Sequence, residues 1–394
     1  MSSGCNILTI NSGSSSMKFA LYALGKTERL VLKGELGRIG VSRGFLEVKD
    51  HDNRELTDQK LNLPDHETAL KTFFGWMNGH EEGKDLHAVG HRLVHGGTDH
   101  VKPQRVSPAL IEDLKQLVPL APDHLPDEIK ALEAVHQLFP DLPQVACFDT
   151  AFHRCMPQVA ERYALPGSLY QEGLRRFGFH GLSCEYILQE LAQEAGAPAA
   201  SGKLIVAHLG NGASMTAIEA GRSLDTTMGL TPTGGLVMST RSGDMDPGVI
   251  IYLLQEKGMT PEAINQLVNR QAGLLGASGF SPDMQDLLAQ RDTKPEAALA
   301  VDLFCYQARK FTGALAAALG GIDTFVFTGG IGENSAIIRA RICEPLEFLG
   351  IRLDRALNEG NSPVISRQDS PIIVRVMKTN EELMIARHTR ALVA

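Results

Sequence analysis

The sequence predicts an α/β protein built on a duplicated domain, with a cleft between the two copies. Three glycine-rich segments, each entered from an apolar strand, carry this expectation. Ile7-Leu8-Thr9-Ile10 runs into the polar turn 11–16 and leaves through Met17-Lys18-Phe19-Ala20-Leu21. Leu204-Ile205-Val206-Ala207, the turn 210–214 and Met215-Thr216-Ala217-Ile218 repeat the same unit of strand, Gly/Ser hairpin and strand. A third loop, 328–335, follows Thr324-Phe325-Val326-Phe327 and precedes a helical stretch. One such turn is what any hairpin needs. Three together suit a polyphosphate, because consecutive backbone N–H groups converge on an anion and hydroxyl side chains add donors.

The elements between the loops follow in order. Ser107 is placed to cap a helix with Pro108 at its first position and a stripe of Leu110, Ile111, Leu114 and Leu117. A second helix follows Pro126, with Ile129, Leu132, Val135 and Leu138 facing inward. Val145-Ala146-Cys147-Phe148 reads as a buried strand that delivers Asp149 at its C-terminal end, where α/β sheets present ligand-contacting groups. A long helix from about 295 to 320 feeds the third loop, and 379–382 opens a last helix, with Thr379-x-x-Glu382 matching a capping box.

Bulk properties bound the function. A chain of 394 residues suits two or three domains, and 43% hydrophobic with 21% charged residues is ordinary for a globular protein. A net charge of −8 argues against nucleic acid or an anionic membrane as partner, so an anionic substrate must meet local arginine or lysine. Six cysteines show neither a C-x-x-C pair nor metal-ligand spacing, which fits reduced thiols in the cytoplasm. No signal peptide is visible, and the longest small-apolar run, 312–322, is too short to span a bilayer.

No Walker sequence, dinucleotide fingerprint or protein-kinase set occurs. Two arginines stand out, Arg92 in 90–97 and Arg241 in 239–247; a single arginine usually reads as a solvated surface residue, but Arg92 beside an apolar pair and two glycines is a poorer fit to that. A guanidinium offers a carboxylate or phosphate two parallel hydrogen bonds. His91 and His95 are four apart but look like a strand pair sharing a face, without a third zinc ligand. His124 and His180 stand open between substrate contact and a core or loop role. Asp149, Glu381 and Asp244 or Asp246 could help hold Mg²⁺ beside nucleotide phosphates. Glu381 stays free because the capping box uses Glu382.

Together these segments resemble the acetate kinase family. The resemblance rests on NSGSSSMK (11–18), GHRLVHGG (90–97), DTAFH (149–153), FGFHG (177–181), HLGNGAS (208–214), TRSGDMDP (240–247), GGIGEN (329–334) and TNEEL (379–383). It implies two ribonuclease-H-like domains of the superfamily shared by actin, sugar kinases and chaperone ATPases, closing on ATP across an interdomain cleft. The expected division is 1–149 with 384–394, the last helix returning to the first domain, and 150–383. It also implies a homodimer and the reversible reaction of acetate and ATP to acetyl phosphate and ADP.

The resemblance implies roles position by position. Asn11 and Glu381 match metal-associated positions for Mg²⁺, or Mn²⁺, and Lys18 a nucleotide-contacting one. Arg92 matches the acyl-substrate arginine and Asp149 the catalytic acidic residue. His180 and Arg241 match groups that stabilise the transferring phosphoryl. Val94, His124, Phe179 and Pro232 match the acyl side. His208, Leu209, Gly210, Asn211 and Gly212 match a phosphate loop, while Asp283, Met284 and Gln285, with Gly330, Ile331, Gly332, Glu333 and Asn334, match the adenosine side. A carboxylate acceptor is ionised at pH 7, its pKa being about 4, and needs no strong base. It needs relief from anion repulsion, which arginines, a histidine and Mg²⁺ supply.

Several positions depart from the family pattern. Asp123 and Leu125 flank His124 where Leu and Asn are usual, and a carboxylate facing an acetate methyl costs desolvation. Leu182 and Cys184 alter a usual G-T-S-H, Thr233-Gly234-Gly235 and Ser239 replace more typical residues near Arg241, and Gln285 replaces a common Arg. Phosphoryl-transfer positions are kept, while the acyl preference, acetate or propionate, stays open. Two other readings stand: an alcohol kinase with Asp149 as base, and a nucleotide-gated protein of the actin or chaperone type.

Overall fold

The computed structural model describes residues 4–13, 15–80 and 85–393. Ser14 of the first turn lies outside the described residues. The chain divides into two compact units, Met1–Phe152 with Asn380–Ala394, and His153–Thr379.

The first unit is an eight-stranded sheet. Its strands are β1 (Cys5–Ser12), β2 (Ser16–Leu24), β3 (Glu28–Gly37), β4 (Gly44–Asp50), β5 (Glu55–Leu61), β6 (Leu86–Leu93), β7 (Gln104–Arg105) and β8 (Gln144–Phe148). Their order is β5-β4-β3-β2-β1-β6-β8-β7. The run from β1 to β5 is antiparallel, whereas β6 pairs parallel to both β1 and β8. Gly13 N donates to Ser16 O at 2.7 Å and closes the first hairpin, setting Asn11 opposite Lys18.

Alternation along β1 and β2 sends side chains to two apolar faces. Leu8, Ile10, Phe19 and Leu21 pack with Phe73 and Leu70 of α1 (His66–Asn78), and with Ala131 and Val135 of α3 (Leu125–Leu138). Ile7, Ala20, Tyr22 and Leu24 pack on the other side with Ala386 of the C-terminal helix, Glu381–Val393. That helix lies so close to β6 that a Cβ on Gly90 would stand 2.3 Å from Thr389 Oγ1 and 2.6 Å from Ile385 Cγ2. Only glycine allows this approach. Between α1 and α3, α2 (Pro108–Leu117) has the expected cap, with Ser107 accepting from Leu110 N.

The second unit holds a five-stranded sheet of β9 (Lys203–Leu209), β10 (Ala213–Glu219), β11 (Arg222–Thr226), β12 (Thr324–Thr328) and β13 (Ile373–Val376), ordered β11-β10-β9-β12-β13. The first three are antiparallel, while β12 is parallel to β9 and β13. The central strands of the first unit, β3-β2-β1-β6-β8, have the same order and directions. The fold is therefore α/β with a duplicated sheet, as the paired hairpins lead one to expect, and the duplication fits the two ribonuclease-H-like domains that the resemblance implies. Its helices include α4 (Gly181–Ala195), α5 (Pro247–Gln255), α6 (Met284–Gln290), α7 (Pro295–Leu319) and α8 (Gly329–Asn334). The long α7 packs on β9, β10 and β11 and ends at Gly320, whose φ of 65° suits a glycine stop.

The compact units divide at 152/153 and 379/380, a few residues from the expected 149/150 and 383/384. Thr379 stays with the second unit because its N–H donates to Glu333 Oε1 and its hydroxyl bonds Ser183 Oγ, whereas Asn380 accepts from Tyr22 Oη. Two other expectations are corrected. The capping box is replaced by Asn380, whose Oδ1 also accepts from Leu383 N at 2.9 Å. The expected third loop is a short helix, α8. Glu333 Oε1 accepts from Gly329 N, and Asn334 Nδ2 donates to Gly330 O, so the glycines are held in helical turns.

Candidate active site

In the first unit the parallel strands aim their C-terminal ends at one cluster. Arg92 is the penultimate residue of β6, and Asp149 directly follows β8, its N–H donating to Leu93 O at 2.9 Å. Asp149 grips the guanidinium with both oxygens: Nε donates to Oδ1 at 3.1 Å, and Nη2 donates to Oδ2. Nη1 donates to Asn11 Oδ1 at 3.2 Å, and Glu381 Oε2 stands 3.6 Å from Nε. Asn11, Arg92, Asp149 and Glu381, expected from distant segments, are thus brought together. These bonds engage three of the five arginine N–H groups and leave two for a ligand anion.

Burial and charge compete here. Burial alone would lower the Arg92 pKa, but Asp149 and Glu381 together hold it above its ordinary value. Burial pushes the Glu381 carboxyl up, Arg92 opposes that, and the charge of Asp149 adds to it. Lys18, exposed on β2, acts on Glu381 in the same sense as Arg92. Val94 is buried just beyond β6, and His124 caps α3 by position without a side-chain cap bond. Asp123 beside it is half-buried.

The donor chemistry fits Mg²⁺. An amide oxygen from Asn11 and the carboxylates of Glu381 and Asp149 are hard ligands, and Mg²⁺ takes one or two carboxylates with water and phosphate. Asp149 and Glu381 repel each other across Arg92, a repulsion that a divalent cation would relieve. Among the described residues the one compact group of metal-type side chains is Asp50-His51-Asp52, away from this cluster on the β4–β5 turn. Asp244 and Asp246 are otherwise engaged: Asp244 accepts from Gly235 N, and Asp246 caps α5. His91 and His95 do not share a strand face, because β6 ends at Leu93, and His95 Nδ1 accepts from Gly97 N.

In the second unit the hairpin turn after β9 meets His180 and Arg241. A Cβ on Gly212 would stand 3.4 Å from His180 Nε2 and 3.6 Å from Arg241 Nη1, so the absence of a side chain there keeps both groups near bare backbone. His180 precedes α4 in the left-handed region, φ 57°, and its Nδ1 pairs with Ser214 Oγ at 2.9 Å. Its ring stacks on His208, with centroids 4.2 Å apart. His208 Nδ1 pairs with Ser183 Oγ, which in turn bonds Thr379. Arg241 Nη1 donates to Pro232 O at 3.1 Å, and Ser239 N donates to Asn211 O, which ties this segment to the turn 210–212. Leu209 closes β9 and is fully buried.

The expected adenosine side is less open in its side chains. Asp283 caps α6 by accepting from Gln285 N and Asp286 N, Met284 is buried, and Gln285 is exposed. Gly330 and Asn334 are exposed on α8, Ile331 is half-buried, Gly332 is buried, and the carboxylate of Glu333 turns to Gly329 and Thr379.

Phe179 is fully buried, and its carbonyl accepts from His153 Nε2 at 2.9 Å. That bond makes Nε2 the protonated nitrogen, so Nδ1 accepts from Ser223 Oγ. Burial holds both His153 and His91 down to about 4. Unfolded histidine titrates near 6.5, so the unfolded chain binds more protons between those values. The stability from these residues is complete above pH 6.5 and is lost as pH falls towards 4, up to about 3 kcal/mol for each. Glu128 works in the opposite sense, its carboxyl being pushed up to about 8 by burial. Glu381, pushed up to about 7, adds to that opposite sense, so thermal melts from pH 8 to 4 are compared between proteins, and His153→Gln should gain on the parent as pH falls. Equal slopes in both proteins would mean that His153 charges without cost in the folded state.

Two residues escaped the sequence reading. Arg339 is fully buried, and its Nη1 donates to the carbonyls of Gly332 and Glu333 while Nε donates to Asn358. Nothing in its sequence neighbourhood signals that role. Glu128 is 2% exposed and receives the Val94 N–H. A signal did exist: it lies four before Leu132 and seven before Val135, on the apolar stripe of α3.

Comparison with known proteins agrees with this geometry. The acetokinase family model matches residues 6–387. An acetate kinase of Rhodopseudomonas palustris is 46% identical over 388 residues, covering 97% of each chain. The solved acetate kinase of Porphyromonas gingivalis superposes with a TM-score of 0.90 at 37% identity, covering 99% of this chain and 100% of that one. A solved propionate kinase from Francisella tularensis gives 0.93 at 36% identity, covering 98% and 100%.

Proposed function

The chain belongs to the acetokinase family, and from that premise we propose that it transfers a phosphoryl group reversibly between ATP and acetate, giving acetyl phosphate and ADP. The observation that carries the acceptor class is Arg92, held by Asp149 and Asn11 with two N–H groups left over. An ionised carboxylate can take both.

The roles are those that the family resemblance implies for each position. Arg92 orients the acceptor carboxylate, and the positions that match the acyl side are Val94 and His124 in the first unit and Phe179 and Pro232 in the second. Asp149 has its oxygens committed to Arg92, so it acts by holding that guanidinium rather than as a base. The carboxylate oxygen attacks the γ-phosphorus as the bond to the ADP oxygen breaks, and charge builds on the equatorial oxygens. His180 and Arg241 meet that charge, and within 208–212 the backbone N–H groups of Asn211 and Gly212 serve the phosphates, that of Gly210 being bonded to Gly212 O. Lys18 adds a charge on the nucleotide side, and residues 283–285 and 330–334 hold adenosine, mainly through backbone. Asn11 and Glu381 would hold Mg²⁺, with Mn²⁺ as a substitute, and the ion when bound supplies charge neutralisation on the transferring phosphate.

Propionate is the alternative acceptor: Asp123 and Leu125 around His124 leave the acyl preference open, and the Francisella relative is named a propionate kinase. Mg-ATP with acetate, propionate, butyrate or glycerol, trapped with hydroxylamine, tests the whole reading. Acetate- or propionate-dependent hydroxamate supports it and ranks the acyl groups. ATP turnover independent of any acceptor would overturn it in favour of a nucleotide-gated protein.

The same proposal includes a cytoplasmic homodimer. No disulfide joins the six cysteines, as suits a reducing compartment, and no helix among the described residues is long and apolar enough to cross a membrane. The helix α5 leaves Val249, Ile251, Tyr252 and Leu254 between 38% and 53% exposed, an apolar face that a second copy would cover. Ile251→Glu should yield a monomer in sedimentation. A dimer of unchanged stability would exclude α5 as the interface.

A further inference from the structure

Glu128 lies in the first turn of α3, one turn after His124. It is 2% exposed, and its Oε2 accepts the Val94 N–H at 3.0 Å. Its Oε1 is buried and makes no hydrogen bond among the described residues. Beyond Leu93 the strand β6 has no further ladder partner, so the Glu128 carboxyl takes the place of a neighbouring strand for Val94. Asp149 N–H secures the preceding carbonyl, that of Leu93. The segment from Arg92 to Val94 is therefore fixed from two sides, by β8 and by α3.

We propose that Glu128 is a positioning residue for the acyl acceptor: by taking the Val94 N–H it sets Val94 against His124 and so fixes which acyl chain fits beside Arg92. The proposal rests on the assignment of Val94 and His124 to the acyl pocket.

The charge state agrees. Burial pushes the Glu128 carboxyl up to about 8, the charges of Asp149 and Asp127 adding to it against the opposing pull of Arg92 and the Val94 N–H. Burial thus favours the neutral form, which does not compete with Asp149 and Glu381 for Arg92. A neutral amide of the same shape can accept the same N–H, so glutamine should replace it, whereas alanine or methionine leaves that N–H buried without an acceptor.

The test compares the parent with Glu128→Gln, Glu128→Ala and Glu128→Met, measuring kcat, the KM values for acetate, propionate and ATP, and the melting temperature. Glu128→Ala should raise the acetate KM about tenfold and shift the propionate-to-acetate preference at least about threefold. The ATP KM should stay within about twofold, and Glu128→Gln should restore both acceptor values. If the alanine variant does not fold, Glu128→Met keeps the buried volume and is read in its place. Acceptor KM and preference unchanged in a folded variant would overturn the proposal. So would a uniform loss of kcat and melting temperature that glutamine fails to repair. A parent that forms no hydroxamate would instead overturn the kinase assignment, so the two failures are distinguishable.

Discussion

Replacing Arg241 by alanine should lower kcat by about a thousandfold while leaving the KM for ATP within a few-fold of the parent value. The expectation comes from where its guanidinium stands. Nη1 is anchored by the Pro232 carbonyl and lies beside the bare backbone of Gly212 together with His180 Nε2. On the proposed assignment the ground-state nucleotide is already met by the backbone of Asn211 and Gly212, so one more donor adds little to its binding. The transferring phosphoryl, with charge spread over three equatorial oxygens, gains most from a planar cation placed in advance. Lysine at 241 should recover little, because a point charge cannot make two parallel bonds. Turnover near the parent value, with only a lowered melting temperature, would show that Arg241 serves the Pro232 carbonyl and the local chain path instead.

Much of this arrangement could be read from the chain, and what could not has physical reasons. Hairpins are local: the turns 11–16 and 210–214 sit between strands whose alternation is visible within a few residues, and both appear where expected. The parallel pairing of β1 with β6 joins segments more than seventy residues apart, and no local pattern announces it. Glycine content misled at 329–334, because a loop and the tight start of a helix both use glycine. What decides for the helix is the carboxylate of Glu333 and the buried guanidinium of Arg339, which arrives from the next helix. Arg92 and Asp149 were legible as candidates because charge, glycines and strand ends coincide there, and the structure brings the two side chains together. Glu128 was hidden because an acidic residue in the first turn of a helix usually reads as a dipole partner facing water. Here the burial of α3 against the core overrides that preference.

Asp149→Asn should cost the reaction about a hundredfold or more in kcat/KM for the acceptor, although the side chain keeps its size. The carboxylate is completely buried and binds Arg92 through both oxygens. An asparagine can accept one of those bonds, but its NH₂ group faces an N–H donor at the other. The guanidinium then has one strong partner left nearby, Glu381, whose Oε2 already stands 3.6 Å from Nε. It should move towards Glu381 and away from the acceptor carboxylate, so the acetate KM rises as kcat falls. Glutamate at 149 keeps the charge but not the reach, and should rescue only in part. The shape of the pH profile separates this account from a base. If Asp149 abstracted a proton, as an alcohol acceptor would require, the variant would lose the acid limb of kcat/KM along with its rate. A carboxylate acceptor brings its own negative oxygen, so the limb should remain while the whole curve drops. Loss of the limb together with phosphorylation of glycerol would make the acceptor an alcohol and turn Asp149 from the holder of an arginine into the base itself.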